Sequence, residues 1–256
     1  MRSGLVGYTG FVGGTLRRQR SFDAEYNSKN IRSIAREHFD LLICAGAPAE
    51  KWKANANPEQ DRECLALLTS SLQQCTADRV ILISTVDVYA DPQNVDETTL
   101  IVAESLQPYG RHRFELECSV ADHFPNTYVV RLPGLFGTGL KKNLIFDLLA
   151  GKLDWTDHRS LLQFYDLSRL WDDLQIAVSA NLRLVNFATE PVSAADVAKR
   201  CFDLDYTTTR DQPPPLYDMR TKHANAFGGR GHYLYDAEET FRRIRQFVAE
   251  QRQATA

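Results

Sequence analysis

The sequence predicts an α/β fold built on a parallel sheet, and three observations support this prediction. Short apolar runs alternate with longer amphipathic stretches over the first 190 of the 256 residues, which is typical of repeated βα units. The segment GLVGYTGFVGG, residues 4–14, places glycines directly after the first apolar run. From about residue 133 onward, glycine and proline interrupt the alternation, so a second and less regular lobe is expected there.

Each element is predicted from its own pattern. The apolar runs predict strands at 4–7, 22–27, 40–45, 79–83, 127–132 and 183–187. Leu65, Leu68 and Leu72 recur on one helical face, so a helix is expected over 58–75. The same spacing predicts a helix beginning near Tyr109, a short helix through Ile31 and Ile34, and a last helix over 237–252.

Composition and charge narrow the function classes. The chain has 43% hydrophobic and 25% charged residues and a formal net charge of -3, so it has no broad positive field, and nucleic acid is not expected as a partner. The five cysteines have no CxxC pair and the six histidines have no metal-ligand spacing, so no metal site is expected. No apolar run approaches the roughly 20 residues of a membrane span, so we expect a cytoplasmic protein with reduced thiols and no membrane partner.

The glycine segment has the spacing of a nucleotide-binding turn. Gly7, Gly10 and Gly13 follow a predicted strand and open a predicted helix. Glycine is needed where the chain turns tightly from strand to helix and where the backbone approaches a pyrophosphate at the helix N-terminus. The context therefore predicts a dinucleotide cofactor rather than a plain βα turn.

The end of the second predicted strand bears on the choice of cofactor. An acidic residue about 20 positions after the glycines would favour NAD, because it accepts hydrogen bonds from the adenosine ribose. Asn27, Ser28 and Lys29 stand there instead, with Arg32 close by, so the sequence favours NADP over NAD. The alternative that Lys29 and Arg32 form a solvated helix face stays open.

Five segments in order carry a family resemblance: GYTGFVGG, ICAGAP, LISTVDVYAD, PYGRHRFELE and VVRLPGLFGTG. Over residues 4 to about 190 the chain resembles the extended short-chain dehydrogenase/reductase family, the NAD-dependent epimerase/dehydratases that mostly act on nucleotide sugars. The resemblance implies a Rossmann-type doubly wound parallel sheet with a small C-terminal substrate-binding lobe. It implies one domain, with a dinucleotide-binding part at 1–132 and about 160–188 and the lobe at about 133–159 and 189–256. A homodimer through 58–75 and 108–123 is a further expectation.

The resemblance also assigns site residues. Thr85 matches the hydroxyl that hydrogen-bonds the reacting oxygen, Tyr109 matches the catalytic tyrosine, and Arg113 stands where the family has lysine. The cofactor contacts that it implies are Gly7, Thr9, Gly10, Phe11, Val12, Gly13, Asn27, Ser28, Lys29, Ala45, Gly46, Ala47, Ser84, Tyr109, Arg113, Leu132 and Pro133.

The arginine is the main departure from the family pattern. A tyrosine moves protons near neutral pH only when its pKa of about 10 is lowered, and a cation at i+4 on the same helix face favours the phenolate. Arginine supplies that charge, but its planar guanidinium is bulkier than an ammonium, so we expect altered cofactor geometry and slower turnover. The alternative reading is a nucleotide-binding regulator or partner-binding protein with the same fold and weakened catalysis.

Two further positions narrow the reaction and the substrate. Val86 stands where the family's dehydratases have an acid, and Val86 cannot move a proton, so hydride transfer by a dehydrogenase, reductase or 4-epimerase is favoured over dehydration. Substrate contacts, with a nucleotide sugar as the expected small molecule, are predicted at Asp87, Lys142, Asn143 and Arg220. Asp87 is equally well explained as a cap on local N–H groups, and Lys142 as a solvated residue.

Overall fold

The computed structural model describes residues 1–255, and the chain divides into two compact units. The first unit contains Met1–Asp91, Thr99–Arg131 and Leu170–Val185. The second unit contains Pro92–Thr98, Leu132–Arg169 and Asn186–Ala256. The single domain and the residue boundaries predicted for its two parts stay predictions.

Helices and strands alternate along the chain. The helices are α1 Phe11–Gln19, α2 Lys51–Ala56, α3 Pro58–Leu72, α4 Pro108–His123, α5 Leu144–Leu149, α6 Leu170–Ser179, α7 Ala194–Phe202 and α8 Ala237–Thr255. The strands are β1 Ser3–Val6, β2 Ala24–Tyr26, β3 His38–Phe39, β4 Leu41–Cys44, β5 Thr76–Ala77, β6 Val80–Thr85, β7 Gln93–Val95, β8 Thr127–Leu132, β9 Gly134–Phe136, β10 Leu161–Leu162, β11 Phe164–Asp166, β12 Leu184–Asn186, β13 Val192–Ser193 and β14 Asp218–Met219.

The first unit is built on a six-stranded sheet in the order β12-β8-β6-β4-β1-β2. Strand β1 pairs in parallel with both β2 and β4, and β4 pairs in parallel with β6. The strand order reverses direction at β1, as expected of a doubly wound sheet. The predicted Rossmann-type α/β fold is confirmed. All six predicted strands are present: the one predicted at 127–132 has those bounds, and the ends of the others differ by one or two residues.

Three predicted elements differ from the structure by two or three residues at an end. The second strand, predicted at 22–27, is confined to Ala24–Tyr26, because Asp23 turns back to bond Ser3 through both its backbone and its carboxylate. The helix predicted over 58–75 ends at Leu72, where a tight turn carries the chain to Cys75. The helix predicted over 237–252 continues to Thr255.

Burial explains the apolar strands. All four residues of both β1 and β4 are buried, as expected for a parallel sheet covered on both faces. Helices α3 and α4 cover one face, and Leu65, Leu68 and Leu116 pack there against the sheet. Burial of these side chains stabilises the unit by about 2 kcal/mol each.

The second unit has a separate core. Helices α5, α7 and α8 supply its apolar side chains, among them Ile145, Val197 and Ile244, each fully buried. Its strands form short two-stranded sheets, β10 with β13, β11 with β9, and β14 with β7. None of the helices within residues 1–255 is long and apolar enough to cross a membrane.

Candidate active site

The glycine turn joins β1 to α1 and needs glycine at two positions. Gly7 has a φ of +89°, a backbone conformation that residues with side chains rarely adopt. A Cβ at Gly13 would overlap the carbonyl oxygen of Gly7. The backbone N–H of Gly10 donates to the same carbonyl oxygen at 2.9 Å. The two glycines thus hold the turn close to the start of α1, while Thr9 and Gly10 are exposed.

The N-terminus of α1 fits an anionic ligand. Gly10 is the N-cap residue of α1, and within the described residues no side chain makes a capping hydrogen bond there. The first turn, which includes Phe11, Val12 and Gly13, contains no acidic residue. Helix N–H groups and the helix dipole favour negative charge at such an end. The predicted pyrophosphate contacts therefore fit the turn that the structure shows.

The end of β2 has a polar cluster. The Nδ2 amide of Asn27 donates to the hydroxyl of Tyr8 at 3.0 Å, and Arg17 lies over the Tyr8 ring at 5.2 Å. Ser28 and Lys29 are exposed next to them. Sequence reasoning missed Tyr8 and Arg17, although their place on the glycine turn and α1 was a usable signal.

Two more strand ends lie on the same edge of the sheet, because the carboxyl ends of parallel strands share one edge. Ala45, Gly46 and Ala47 follow β4 and are half-buried. A Cβ at Gly46 would lie 2.9 Å from Val6, so a side chain there would disturb the packing between β4 and β1. At the end of β6, Thr85 is half-buried and Ser84 donates a hydrogen bond to Glu117.

Tyr109 is brought to Thr85 by close packing of α4. A Cβ at Gly110 would overlap the carbonyl oxygen of Asp87, so only glycine allows this approach of the helix. Asn55 of α2 accepts a hydrogen bond from the backbone N–H of Tyr109 at 2.9 Å. The Tyr109 side chain is 7% exposed. Gly110 and Asn55 were not identified from the sequence.

The Arg113 guanidinium is held in place by contacts with other residues of the first unit. It stacks on the Tyr109 ring at 4.0 Å from the centroid and is 3% exposed. Both of its Nη atoms bond the Asp61 carboxylate, and they also donate to the carbonyl oxygens of Pro48 and Tyr109. All four Nη hydrogens therefore have protein acceptors, and the positive charge is paired with a carboxylate that sequence reasoning missed.

The pKa of Tyr109 follows from this environment. Burial raises it above its ordinary value, and the negative charge of Asp87 adds to that effect. Arg113 favours the phenolate, as expected, and Thr85 and Lys51 act in the same direction. Burial outweighs them, so the predicted net lowering of the Tyr109 pKa is wrong for the protein without ligand.

Asp87 has a cationic partner that the sequence did not reveal. Lys51 Nζ lies 2.6 Å from Asp87 Oδ1, and the Lys51 side chain is 47% exposed. Asp87 also contacts Thr85 twice, since its backbone N–H donates to the Thr85 hydroxyl at 3.2 Å and its Oδ2 accepts from that hydroxyl at 3.3 Å. Thr85 therefore caps the turn after β6, and the Asp87 carboxylate accepts from the Thr85 hydroxyl and from Lys51. The predicted substrate contact of Asp87 stays a prediction.

A buried hydrogen-bond network connects β6, β8 and α4 near the candidate site. Arg131 of β8 makes two hydrogen bonds to Glu117, at 2.6 and 3.0 Å, and donates to the Tyr89 hydroxyl at 2.8 Å. Ser84 joins the network through Glu117. Because all these groups are paired, the network fixes the positions of β6, β8 and α4.

The remaining predicted residues lie in the second unit. Leu132 and Pro133 are buried at the end of β8 and just after it. Asn143 caps α5 by accepting from the backbone N–H of Phe146 at 3.1 Å. Lys142 is exposed, and Arg220 pairs with Asp218 at 2.7 Å. Their cofactor and substrate contacts stay predictions.

A group with metal-ligand chemistry lies elsewhere in the first unit. The ligand atoms of His38, Asp40 and Asp78 lie within 4.8 Å of one another at the surface. His38 and Asp40 are close in sequence, but Asp78 is distant from both, so motif spacing could not show the group. Asp40 already accepts a hydrogen bond from the backbone N–H of Arg2, and we assign no metal to the group.

The sheet order and the glycine turn between β1 and α1 define a Rossmann-type α/β protein. No protein-family model matches the chain, and no curated protein matches its sequence. Solved structures match it over nearly its whole length.

Three of these structures are of proteins that are named for a nucleotide-sugar reaction or were solved with a nucleotide sugar. dTDP-4-dehydrorhamnose reductase from Yersinia enterocolitica is 14% identical, with a TM-score of 0.73, covering 97% of this chain and 99% of that one. UDP-glucose 4-epimerase from Thermotoga maritima, solved with UDP-glucose, is 12% identical with a TM-score of 0.75, and coverage is 100% of both chains. MoeE5, solved with UDP-glucose and NAD, is 15% identical with a TM-score of 0.76 and the same coverage. At these identities the likeness shows the fold.

Proposed function

We propose that the protein is an NAD(P)-dependent oxidoreductase or epimerase that acts by hydride transfer on a nucleotide sugar or a related small alcohol or ketone. The observation that carries this proposal is the packing of Tyr109, with Arg113 beneath its ring, against the end of β6, on the sheet edge that also has the uncapped glycine turn. The neighbours with similar folds, a reductase and an epimerase among them, support the reaction class.

The residues present fit a dinucleotide. Gly7, Gly10 and Gly13 would hold its pyrophosphate at the start of α1, because backbone N–H groups there have no side-chain cap. Ala45, Gly46 and Ala47 would contact it at the end of β4, and Ser84, Leu132 and Pro133 near its reactive end. When bound, the cofactor supplies or accepts the hydride.

The chain's own residues would handle the proton. Tyr109 would move a proton on or off the substrate oxygen, and Thr85 would hold that oxygen by a hydrogen bond. With its pKa raised by burial, Tyr109 is protonated at neutral pH, and the charges of Arg113 and Lys51 would favour the phenolate that remains after it donates in the reducing direction. Arg113 would act by its charge beneath the ring rather than by contact with the cofactor, because its Nη hydrogens already have acceptors.

We propose NADP as the preferred cofactor, although MoeE5 was solved with NAD. No carboxylate stands at Asn27, and Ser28 and Lys29 are exposed beside it. Arg17 lies over Tyr8 close to the same point, but its charge is paired with Glu25 at 2.9 Å. Lys29 would therefore supply the positive charge that a 2′-phosphate needs.

Dehydration is disfavoured in the proposal, although a dehydratase, TunA, is among the proteins of similar fold. Val86, at the position of the acid that dehydration needs, is buried and cannot donate a proton. For the substrate, we propose contacts from Asp87, Lys142, Asn143 and Arg220 to a nucleotide sugar. The expected homodimer stays part of the proposal.

One observation favours a second candidate, a nucleotide-binding regulator with weakened catalysis. Asp61 pairs with Arg113, so the cation beneath Tyr109 is partly neutralised. Such a protein would bind dinucleotide without turnover.

A binding and turnover panel separates the two candidates. Thermal unfolding is followed with each of the two dinucleotides and with UDP- and dTDP-sugars, since a ligand of the native state raises the unfolding temperature. Our proposal predicts stabilisation by NADP(H) and a change in nicotinamide absorbance with at least one sugar substrate. Stabilisation without any absorbance change would favour the regulator, and absence of stabilisation by either dinucleotide would contradict both.

A further inference from the structure

Helix α2 carries two residues toward the candidate catalytic pair. Lys51 and Asn55 are four residues apart, so they share one face of the helix. Asn55 accepts the hydrogen bond from the backbone N–H of Tyr109, which docks α2 on the first turn of α4. This contact fixes the face that also presents Lys51.

A chain of polar contacts leads from Lys51 to the end of β6, beside the turn of α4 that carries the phenol. Lys51 Nζ lies 2.6 Å from Asp87 Oδ1, and Asp87 Oδ2 lies 3.3 Å from the Thr85 hydroxyl. The Asp87 carbonyl oxygen packs so closely against Gly110, the residue after Tyr109, that a Cβ there would overlap it. The half-exposed ammonium and the carboxylate therefore lie next to the turn that carries a phenol only 7% exposed.

Three charged groups act on Tyr109, one from each element packed around it. Arg113 lies on α4 beneath the ring, Asp87 follows β6, and Lys51 lies on α2. Arg113 is paired with the Asp61 carboxylate of α3, so its effect is partly offset. The negative charge of Asp87 disfavours a phenolate at Tyr109. Among the contacts described above, Lys51 alone offsets that negative charge.

We propose that Lys51 is a positioning residue that offsets the charge of Asp87 and thereby sets, through Asp87, how readily Tyr109 gives up its proton. Lys51 would supply from α2 part of the positive charge that Arg113 cannot deliver in full. The catalytic meaning of this role rests on the proposed function, but the electrostatic role does not.

The test uses the full-length protein without ligand. Tyr109 is replaced by 3,5-difluorotyrosine, which titrates well below tyrosine, and its 19F NMR signal is followed against pH. Lys51→Met should move the titration midpoint upward, and Asp87→Asn should move it downward. Lys51→Arg, which keeps the charge, should restore the midpoint. Lys53→Met is the matched control, since Lys53 lies on the same helix and pairs with exposed Glu50, and it should leave the midpoint unchanged.

Opposite shifts from Lys51→Met and Asp87→Asn would support the proposal, because a merely structural role would not produce opposite signs. Equal midpoints in the wild type and in both variants would overturn it. Lys51 is half-exposed, so its variants should fold, and Asp87→Asn tests the same coupling from the other side.

Turnover provides a second, separate readout. If the wild type reduces a nucleotide sugar, Lys51→Met should lower kcat roughly tenfold with KM little changed, and the alkaline limb of its pH profile should move upward. If no dinucleotide-dependent turnover exists, the proposed function fails while the NMR titration still decides the role of Lys51.

Discussion

Asp61→Asn removes a carboxylate charge from the buried contact with Arg113 and is expected to destabilise the first unit strongly. The Asp61 side chain is 5% exposed and accepts hydrogen bonds from both Nη atoms of Arg113 and from His112 Nδ1, the last at 2.8 Å. Breaking a buried ion pair costs about 3–5 kcal/mol, because the remaining charge stays buried without its counter-ion. Asparagine keeps one acceptor oxygen, so we expect about 3 kcal/mol.

Urea unfolding followed by tryptophan fluorescence measures this loss. Trp52 and Trp155 are both 69% exposed, so Trp171, which packs at 4.5 Å from Arg20 in the first unit, should dominate the signal. With a slope near 3 kcal/mol/M, the midpoint should fall by about 1 M. Glu63→Gln on the exposed side of the same helix is the matched control and should change stability by less than about 0.5 kcal/mol.

A small effect would refute the reasoning. If Asp61→Asn cost less than about 1 kcal/mol, the guanidinium would not depend on Asp61 for its charge balance. Arg113 would then be free to act on Tyr109 with its full charge, contrary to the structure.

Two further predictions concern packing and pH. Gly110→Ala should lower the free energy of unfolding by about 1–3 kcal/mol, because its Cβ would overlap the Asp87 carbonyl oxygen. Gly14→Ala in α1, whose Cβ would have its nearest contact at 3.5 Å, should raise it by about 0.5–1 kcal/mol. Equal melting temperatures for the two variants would contradict this prediction. Burial alone would raise the pKa of Asp61, but hydrogen bonds from Arg113 and His112 outweigh it and lower the pKa. This stabilisation is present above the unfolded-state pKa of about 3.9 and is lost as pH falls through the folded-state pKa, so the stability gap between wild type and Asp61→Asn should narrow from pH 7 to pH 3. A gap that stayed constant would show that the carboxylate charge is not its source.

The sheet was predictable because each strand carries its own signal. The runs LLIC and VILI are apolar throughout, and burial on both faces of a parallel sheet demands that pattern. The glycine turn was predictable because Gly7 and Gly13 are required by conformation and by close contact. Such requirements act within a few residues and are visible in sequence.

The partners of the candidate site were not predictable. Asp61 lies 52 residues before Arg113, and Lys51 lies 36 residues before Asp87. Neither pair has a fixed spacing, because the folding of separate helices onto one sheet edge brings them together. The sign of the Tyr109 pKa shift was missed for the same reason, since burial depends on packing that no local pattern reports.

The measurement that tests the central claim most directly is a comparison of wild type with Tyr109→Phe, with dinucleotide binding and nicotinamide absorbance followed in parallel. We predict that Tyr109→Phe keeps the dinucleotide affinity of the wild type and loses roughly 100-fold or more of its turnover with a nucleotide-sugar substrate, because the phenol moves the proton. Wild-type turnover in the variant would contradict the account.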